Sequence, residues 1–384
     1  MEVVVNLDYS PEEISFRTDV SAWIAANAPR SEERRDLDAW RSWQKKLYAA
    51  GFLGAGWPAE YGGAQLTPMQ QAMFNEELAR ANAPGPINAM ALWWVGPAII
   101  RYGTEAQKKR FLRPILTADE IWATGYSEPG SGSDMAAAKC RAVRDGDFYI
   151  VSGQKVWTTL AHISDWFFIL VRTSTDGPKW AGLSLLLIDM KSPGVEVRPI
   201  RQITGDCEFN EVFLHDVRVP VGNLLGTEGQ GWEVVSSALV NERTGIAGSV
   251  RFDQSLERVV ASARRGGCQA DPLWRQRLAD LAIKARVTKS FQLRSMSDSL
   301  HGRINPHMSA AMKLFTTELT QRFSETSVDL LGAYGSLWEG SSRTPEDGRA
   351  AYQFLYDRSM TIAGGTSEVQ RNIVAQRVLG LPRK

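Results

Sequence analysis

The strongest constraint on the fold is a change in the character of the sequence at about residue 120 and again at about residue 222. Between these points lie short β-rich runs such as DWFFILVRT, GLSLLLID and VEVRPI, each bounded by Gly, Pro or Ser. Asp145-Gly146 separates RAV from FYIV as a hairpin turn does. Apolar residues alternate in EVFLHDVRVPV, so we expect one strand face to carry Phe213, Val217, Val219 and Val221. The pattern predicts a β-domain of about a hundred residues.

The flanking sequences have helical character instead. Leu37, Trp40, Trp43 and Leu47 form an approximate helical stripe that ends before Gly51. A second helix is expected in PMQQAMFNEELARANAP, and helical patterns return after residue 231 and persist to the end. We therefore predict an α+β multidomain protein: an N-terminal helical domain (1–119), a central antiparallel β-domain (120–222) and a C-terminal helical bundle (223–384).

Composition excludes several classes of partner. The 44 basic and 43 acidic residues leave a net charge of +1, so no overall field favours nucleic acid or an anionic membrane. No stretch approaches the ~18 apolar residues of a membrane span, and no basic residues precede the short valine run near the start. The three cysteines and four histidines lack the spacing of a disulfide framework or a metal site. We expect a cytoplasmic protein without a metal centre.

Two segments have the composition of a ligand site. ATGYSEPGSGSD (123–134) combines glycines with small hydroxyls, which lets a backbone approach a planar or anionic ligand closely, although a glycine-rich β-turn has the same composition. SGQKVWTTLAHISDWFF (152–168) places Trp157 and Thr159 near a strand end. These side chains suit a flavin ring, although a lone tryptophan in a β-run is more often part of the core.

Taken together with three further motifs, these segments resemble the acyl-CoA dehydrogenase family. The other motifs are GWPAEYGG (56–63), DVRVPVGNLLGTEGQGW (216–232) and GGTSEVQRNIVAQRVLG (364–380), and all five occur in the family order. The resemblance implies a helix–β–helix fold, non-covalent FAD and α,β-dehydrogenation of an acyl-CoA thioester. It also implies that electrons pass to an electron-transferring flavoprotein.

The resemblance assigns roles to residues of the first segment. Tyr126 and Ser127 match positions on the pyrimidine side of the isoalloxazine, and Gly132 belongs to the same cofactor motif. Ser133 matches a residue that lies between the flavin and the thioester arm, so it is expected to bind both FAD and substrate.

Four more positions are assigned to FAD in the same way. Trp157 matches the residue that packs on the flavin ring, and Thr159 the residue that hydrogen-bonds near N5. In the last motif, Thr366 and Glu368 match positions that touch FAD.

The expected catalytic base departs from the commonest pattern. Many family members carry the catalytic glutamate directly before Gly-Thr-Ser, where this chain has Gly364, which cannot accept a proton. An earlier helix offers a carboxylate instead, because Glu242 interrupts an apolar stripe made by Trp232, Val235, Leu239 and Ile246. From periodicity alone Glu242 is either a base with a raised pKa or half of a buried ion pair.

The resemblance favours catalysis by Glu242. In the branch that includes isovaleryl-CoA and long-chain acyl-CoA dehydrogenases the base comes from this earlier helix, and Glu242 in LVNER lies at the matching position. Arg243 matches a common family arginine that orients the base or a neighbouring loop near the substrate, or serves the structure alone.

A second departure concerns assembly. The family's Arg-x-x-Phe-Gly, which reaches the FAD of a neighbouring subunit, is missing from residues 262–282, and Asp329 stands where Gln is common. We expect a homo- or hetero-oligomer, a dimer or tetramer, whose FAD sites lie at subunit contacts. Two alternatives stay open: a non-catalytic subunit that completes an FAD site, and a flavin monooxygenase on the same fold. The small residues at 363–365 leave room for a branched, cyclic or steroid-like acyl group.

Overall fold

The computed structural model describes the backbone of residues 9–30, 33, 36–242, 248–301, 303 and 307–382, and their side chains except those of residues 239–242, 248, 299 and 300. Its elements follow the order helices, strands, helices. The predicted α+β fold class, with an antiparallel-rich sheet between two helical parts, is confirmed.

Helices occupy the chain up to residue 117. They are α1 (Pro11–Asn27), α2 (Leu37–Ala49), α3 (Pro68–Arg80), α4 (Gly96–Tyr102) and α5 (Glu105–Thr117), and a π-helical turn (Ala91–Val95) leads into α4. The helix predicted from the stripe in α2 is confirmed, with Trp43 and Leu47 fully buried.

Reciprocal capping boxes define where three of these helices begin. In each, a Ser or Thr oxygen accepts the N–H three residues on, and the Glu or Gln side chain there accepts the cap's own N–H. The pairs are Ser10 with Glu13, Thr67 with Gln70 and Thr104 with Gln107. Local sequence therefore defines these helix starts before any tertiary contact forms.

The strands form a single eight-stranded sheet. They are β1 (Trp122–Gly125), β2 (Arg141–Asp145), β3 (Phe148–Thr159), β4 (Trp166–Arg172), β5 (Leu183–Asp189), β6 (Val195–Ile200), β7 (Phe209–Pro220) and β8 (Leu224–Leu225). The order is β6-β7-β3-β2-β4-β5-β8, and β1 pairs with β4 in parallel. The predicted Asp145-Gly146 hairpin joins β2 to β3, with Gly146 at φ +58°.

The alternation expected along β7 is wrong at Phe213. A β-bulge at residues 215–216, with Asp216 at φ +49°, inserts one extra residue opposite β3. Val217 and Val219 are buried as expected, but the buried face before the bulge carries Val212 and Leu214. Phe213 is consequently half-buried on the other face, beneath the guanidinium of Arg198.

The remaining described chain is helical. Its helices are α6 (Gly231–Glu242), α7 (Gly248–Arg265), α8 (Pro272–Leu300), α9 (Met308–Leu331), α10 (Arg349–Tyr356) and α11 (Ser367–Ile373). Phe252, Val259, Leu281 and Phe323 form part of a core between α7, α8 and α9. Helix α6 instead packs on the π-helical turn, α4 and β5. No helix within the described ranges combines the length and apolar character that a bilayer span requires.

Candidate functional site

The centre of the candidate site is a β-bulge near the end of β3. Lys155 pairs with Val212 and Thr158 pairs with Asn210, so β3 carries one extra residue over this interval. Trp157, within the bulge, adopts φ +60°, a left-handed conformation that is costly for a bulky residue. Strict alternation would place Lys155, Trp157 and Thr159 on one face. The bulge instead directs Lys155 and Thr158 inward, where both are buried.

Trp157 is not part of the core. The residue is 59% exposed, and its ring lies edge-on to that of Phe209, at 6.3 Å between centroids. Thr159, the register partner of Phe209, is half-buried. Thr158 lies between them, fully buried, and its Oγ1 has no hydrogen-bond partner among the residues that the structure describes. An unpacked indole on a strained backbone is typical of a ligand site.

The first ligand segment is tied directly to this bulge. The Val156 N–H donates to the carbonyl oxygen of Ser127 (3.0 Å), and Lys155 Nζ donates to the carbonyl oxygen of Tyr126 (3.2 Å). Nζ also lies 2.8 Å from Oε1 of Glu128. The two segments that the sequence assigned to flavin binding are therefore joined to each other in the fold.

Glu128 organises the loop that follows. Its carboxylate accepts the N–H groups of Lys139 (2.7 Å) and Cys140 (2.9 Å) in addition to the Lys155 ammonium. Burial raises the pKa of this carboxyl, but Lys155 and the two amides outweigh burial and hold the pKa below its ordinary value. Glu128 is consequently an anion that closes a loop of residues 128–140.

The remaining residues of the first segment differ in exposure. Tyr126 and Ser127 are half-buried, and the Tyr126 ring lies edge-on to Phe168 at 6.2 Å. Gly132 and Ser133 are exposed, and a methyl group added at Gly132 would meet no neighbouring atom within 4 Å. This tip of the loop is open to a ligand.

The C-terminal motif lies on a different element. Thr366 caps α11, its Oγ1 accepting the N–H of Val369 (3.2 Å), and the Glu368 side chain is 79% exposed. Both line an open cleft of about 460 Å³ between α9 and the start of α11. Gly364 (φ +65°) and Gly365 (φ +94°) precede the cap, and Gln370 Nε2 donates to both of their carbonyl oxygens.

Glu242 is the last residue of α6, and its side chain lies outside the described residues, as do Arg243 and Ile246. In the preceding turns of α6, Val234, Val235 and Ala238 are buried. Asp329, the second departure from the family pattern, is paired with Arg277 at 2.6 Å.

Sequence reasoning missed Lys155, Glu128 and Phe209. A charged lysine in a β-run two residues before Trp157 was the available signal, but a period of two places it on the same face as the tryptophan. Within the described ranges, no group of three or more His, Cys, Asp or Glu side chains is placed to hold a metal ion.

Comparison with known proteins agrees with the fold. Three domain families match in order: acyl-CoA dehydrogenase N-terminal domain (residues 10–119), middle domain (123–217) and C-terminal domain (229–379). Acyl-CoA dehydrogenase IpdE1 of Mycobacterium tuberculosis is 38% identical, over 96% of this chain and 98% of that protein. FadE29 of the same organism is 34% identical, over 98% and 99%.

Solved structures extend the likeness to three dimensions. The ChsE4-ChsE5 complex from Mycobacterium tuberculosis matches with a TM-score of 0.88 and 33% identity, over 99% of this chain and all of that chain. The Tcur3481-Tcur3483 steroid ACAD matches with a TM-score of 0.88 and 30% identity, over 99% and 100%.

The fold places one sheet between two helical parts, and the end of strand β3 carries an exposed tryptophan. The chain belongs to the acyl-CoA dehydrogenase family, as its motifs predicted. It is an enzyme of the class that this family forms, the FAD-dependent oxidoreductases of acyl-CoA thioesters.

Proposed function

We propose that this chain dehydrogenates an acyl-CoA thioester between its α- and β-carbons, with Glu242 removing the α-proton. FAD, when bound, supplies the acceptor for the β-hydride. One observation carries the proposal: Tyr126 of the first ligand segment and Trp232 of α6 pack on the same apolar cluster, to which α6 also contributes Val234 and Val235. The helix that bears Glu242 and the loop assigned to the flavin thus pack on one continuous apolar core.

The choice of base follows from helix geometry. Glu242 comes four residues after Ala238 and seven after Val235, so its Cα lies on the side of α6 that carries these two buried residues. A carboxylate beside apolar surroundings has a raised pKa, which suits proton removal from a weakly acidic carbon. Gly364 has no side chain that accepts a proton, so Glu242 takes the role that many relatives give to that position.

The residues at the strand end fit a flavin. Trp157 has an exposed aromatic face, and Thr159 has a hydroxyl group one position beyond Thr158. The backbone of Tyr126 and Ser127 is hydrogen-bonded to the same bulge. We assign Tyr126, Ser127, Trp157 and Thr159, together with Gly132, to FAD.

Three further assignments complete the FAD and substrate site. We assign Ser133, on the exposed loop tip, to FAD and the thioester arm together, and Thr366 and Glu368 to FAD. Arg243 is proposed to orient Glu242 or the loop beside the substrate.

The acyl group that we propose is bulky. Ala363, Gly364 and Gly365 occupy the stretch where many relatives carry the larger catalytic glutamate, and both glycines have positive φ. One structural relative is named a steroid ACAD. A branched, cyclic or steroid-like chain would fill the volume left by the missing side chain. A panel of CoA esters, read by anaerobic flavin bleaching, tests this, and a strict preference for short straight chains would contradict it.

Assembly with a second chain is also proposed. The Arg-x-x-Phe-Gly that relatives donate across subunits is missing, and two structural relatives are named as pairs of chains. We propose a homo- or hetero-oligomer with FAD at the contact, and an electron-transferring flavoprotein as electron acceptor. The missing motif favours a partner chain that completes the FAD site of this chain.

A matched pair of variants tests catalysis. Glu242→Gln should retain FAD but lose flavin bleaching by about 10²–10⁴-fold, as expected when a general base is removed. Glu233→Gln, an exposed carboxylate at the start of the same helix, is the control and should bleach normally. Bleaching at the normal rate by Glu242→Gln would exclude Glu242 as the base. Bleaching by neither variant nor the unchanged chain would favour the non-catalytic subunit.

A further inference from the structure

Two tyrosines of the C-terminal helical part reach the β-domain. Tyr352 and Tyr356 lie one turn apart on α10, with their rings stacked at 5.9 Å and 13°. The Tyr352 hydroxyl donates to Oδ2 of Asp206 (2.8 Å), and the Tyr356 hydroxyl to Oε1 of Glu208 (3.4 Å). Both carboxylates belong to the segment that enters β7.

Residues 208–210 of that segment are hydrogen-bonded to the strand end that forms the candidate flavin site. The Leu160 N–H donates to the carbonyl oxygen of Glu208 (2.8 Å), directly after Thr159. Asn210 Nδ2 donates to the carbonyl oxygens of Thr158 (2.9 Å) and Glu208 (3.1 Å). Phe209, between the two, contacts Trp157. The backbone that bears Trp157 and Thr159 therefore rests on residues 208–210.

The two hydroxyls keep their protons in the physiological range. Burial, and then Glu208, raise the pKa of Tyr356 to about 12, and burial with Asp206 raises that of Tyr352. Burial and the neighbouring Asp206 raise the pKa of Glu208, and the Tyr356 hydrogen bond opposes them. Among the described residues, the titratable groups around Glu208 are Asp206, Tyr352 and Tyr356, and Asp357 lies next to Tyr356.

We propose that Tyr352 and Tyr356 are positioning residues for the flavin: by holding Asp206 and Glu208, α10 sets the strand end that carries Trp157 and Thr159. The inference rests on the proposed FAD site and extends it to residues that do not contact the cofactor. It makes the C-terminal helical part a determinant of flavin geometry in the β-domain.

The test compares Tyr352→Phe, Tyr356→Phe and the double variant with the unchanged flavoprotein, and takes Tyr334→Phe as control because Tyr334 is 55% exposed. The double variant should bind FAD about tenfold more weakly, the size expected when a hydrogen bond to a charged group is lost, and its flavin midpoint potential should shift. If the two tyrosines only stabilise the fold, the variants should have a lower thermal midpoint but unchanged FAD affinity and flavin midpoint potential. That result would overturn the proposal. If the double variant does not fold, Tyr356→Phe alone decides.

The dependence of FAD binding on pH distinguishes an effect transmitted through Glu208 from a general loss of stability. Tyr356→Phe removes the donor that lowers the Glu208 pKa, so the acidic limb of FAD binding should move to higher pH, and Glu208→Gln should abolish that limb. If FAD binding depended on pH in the same way in the unchanged protein, Tyr356→Phe and Glu208→Gln, transmission through Glu208 would be refuted. If the unchanged protein holds no FAD, the proposed function fails and this inference fails with it. If it holds FAD and the variants hold it equally well, only this inference is overturned.

Discussion

The ammonium of Lys155 lies 2.8 Å from Oε1 of Glu128, and the two side chains are 0% and 8% exposed. The pair joins the strand that bears Trp157 to the loop that follows Tyr126, because Lys155 also donates to the Tyr126 carbonyl oxygen. A buried charge is stable only when it is paired, so neither side chain tolerates loss of the other. The pair therefore holds the segments 123–134 and 152–168 together when the chain folds.

Removing one member of this pair should be costly. Lys155→Met leaves Glu128 buried without its cation, and we expect a loss of about 3–5 kcal/mol in the free energy of unfolding together with loss of bound FAD. Lys179→Met is the control, because Lys179 pairs with Asp134 on the surface, where an ion pair contributes about 0–1 kcal/mol. Urea unfolding and flavin absorbance measure both effects. Equal losses in the two variants would show that burial of Lys155 is not decisive.

Replacing Trp157 should separate binding from stability. Because Trp157 is 59% exposed, Trp157→Ala should change the free energy of unfolding by less than about 1 kcal/mol. Trp122→Ala, at a residue 1% exposed, should cost about 3–5 kcal/mol. FAD titration of the apoprotein should show weakened binding for Trp157→Ala. Unweakened binding would remove Trp157 from the cofactor site.

The left-handed backbone at Trp157 makes a further prediction. Its φ of +60° is costly for any residue with a Cβ but is readily adopted by glycine. Trp157→Gly should therefore be more stable than Trp157→Ala by about 1 kcal/mol, a reversal of the usual preference for alanine. Chemical denaturation of the two apoproteins measures the difference. A less stable glycine variant would argue against the bulge geometry.

Glu208 should make stability depend on pH. Its folded pKa is raised by burial and by Asp206, so its contribution is fully present below the unfolded glutamate pKa of about 4.3 and is lost as pH rises through the folded value. We take the thermal midpoint at pH 8 minus that at pH 5 as the measured quantity. This difference should be larger for Glu208→Gln than for the unchanged protein.

Glu196 provides the matched control of opposite sign. Arg198 lowers the pKa of this exposed carboxyl, so Glu196 contributes stability above its unfolded pKa that is lost as pH falls through the folded one. Because both of these pKa values lie at or below about 4.3, Glu196→Gln should lower the thermal midpoint at pH 6 relative to that at pH 3. For each variant we compare the thermal midpoint at the higher pH with that at the lower pH. If this difference changed with the same sign in both variants, the assignment of the raised pKa to Glu208 would be contradicted.

The sequence by itself determined the order of helices and strands, the hairpin at Asp145-Gly146, the helix starts and the family. These properties depend on residues a few positions apart, through side-chain periodicity, turn chemistry and capping. It also identified the two segments that the fold joins through hydrogen bonds from Lys155 and Val156 to Tyr126 and Ser127. It did not place the side chain of Glu242, whose role stays a prediction.

Only the tertiary structure decided which way the side chains around Trp157 face. A period of two puts Lys155 and Trp157 on one side, but a single extra residue in β3, held by pairing with β7 and by the buried Glu128, turns the lysine inward and leaves the tryptophan exposed. The bulge in β7 reversed Phe213 in the same way. Tyr352 and Asp206 are 146 residues apart, and contacts over such distances arise from packing between domains, for which local patterns carry no signal.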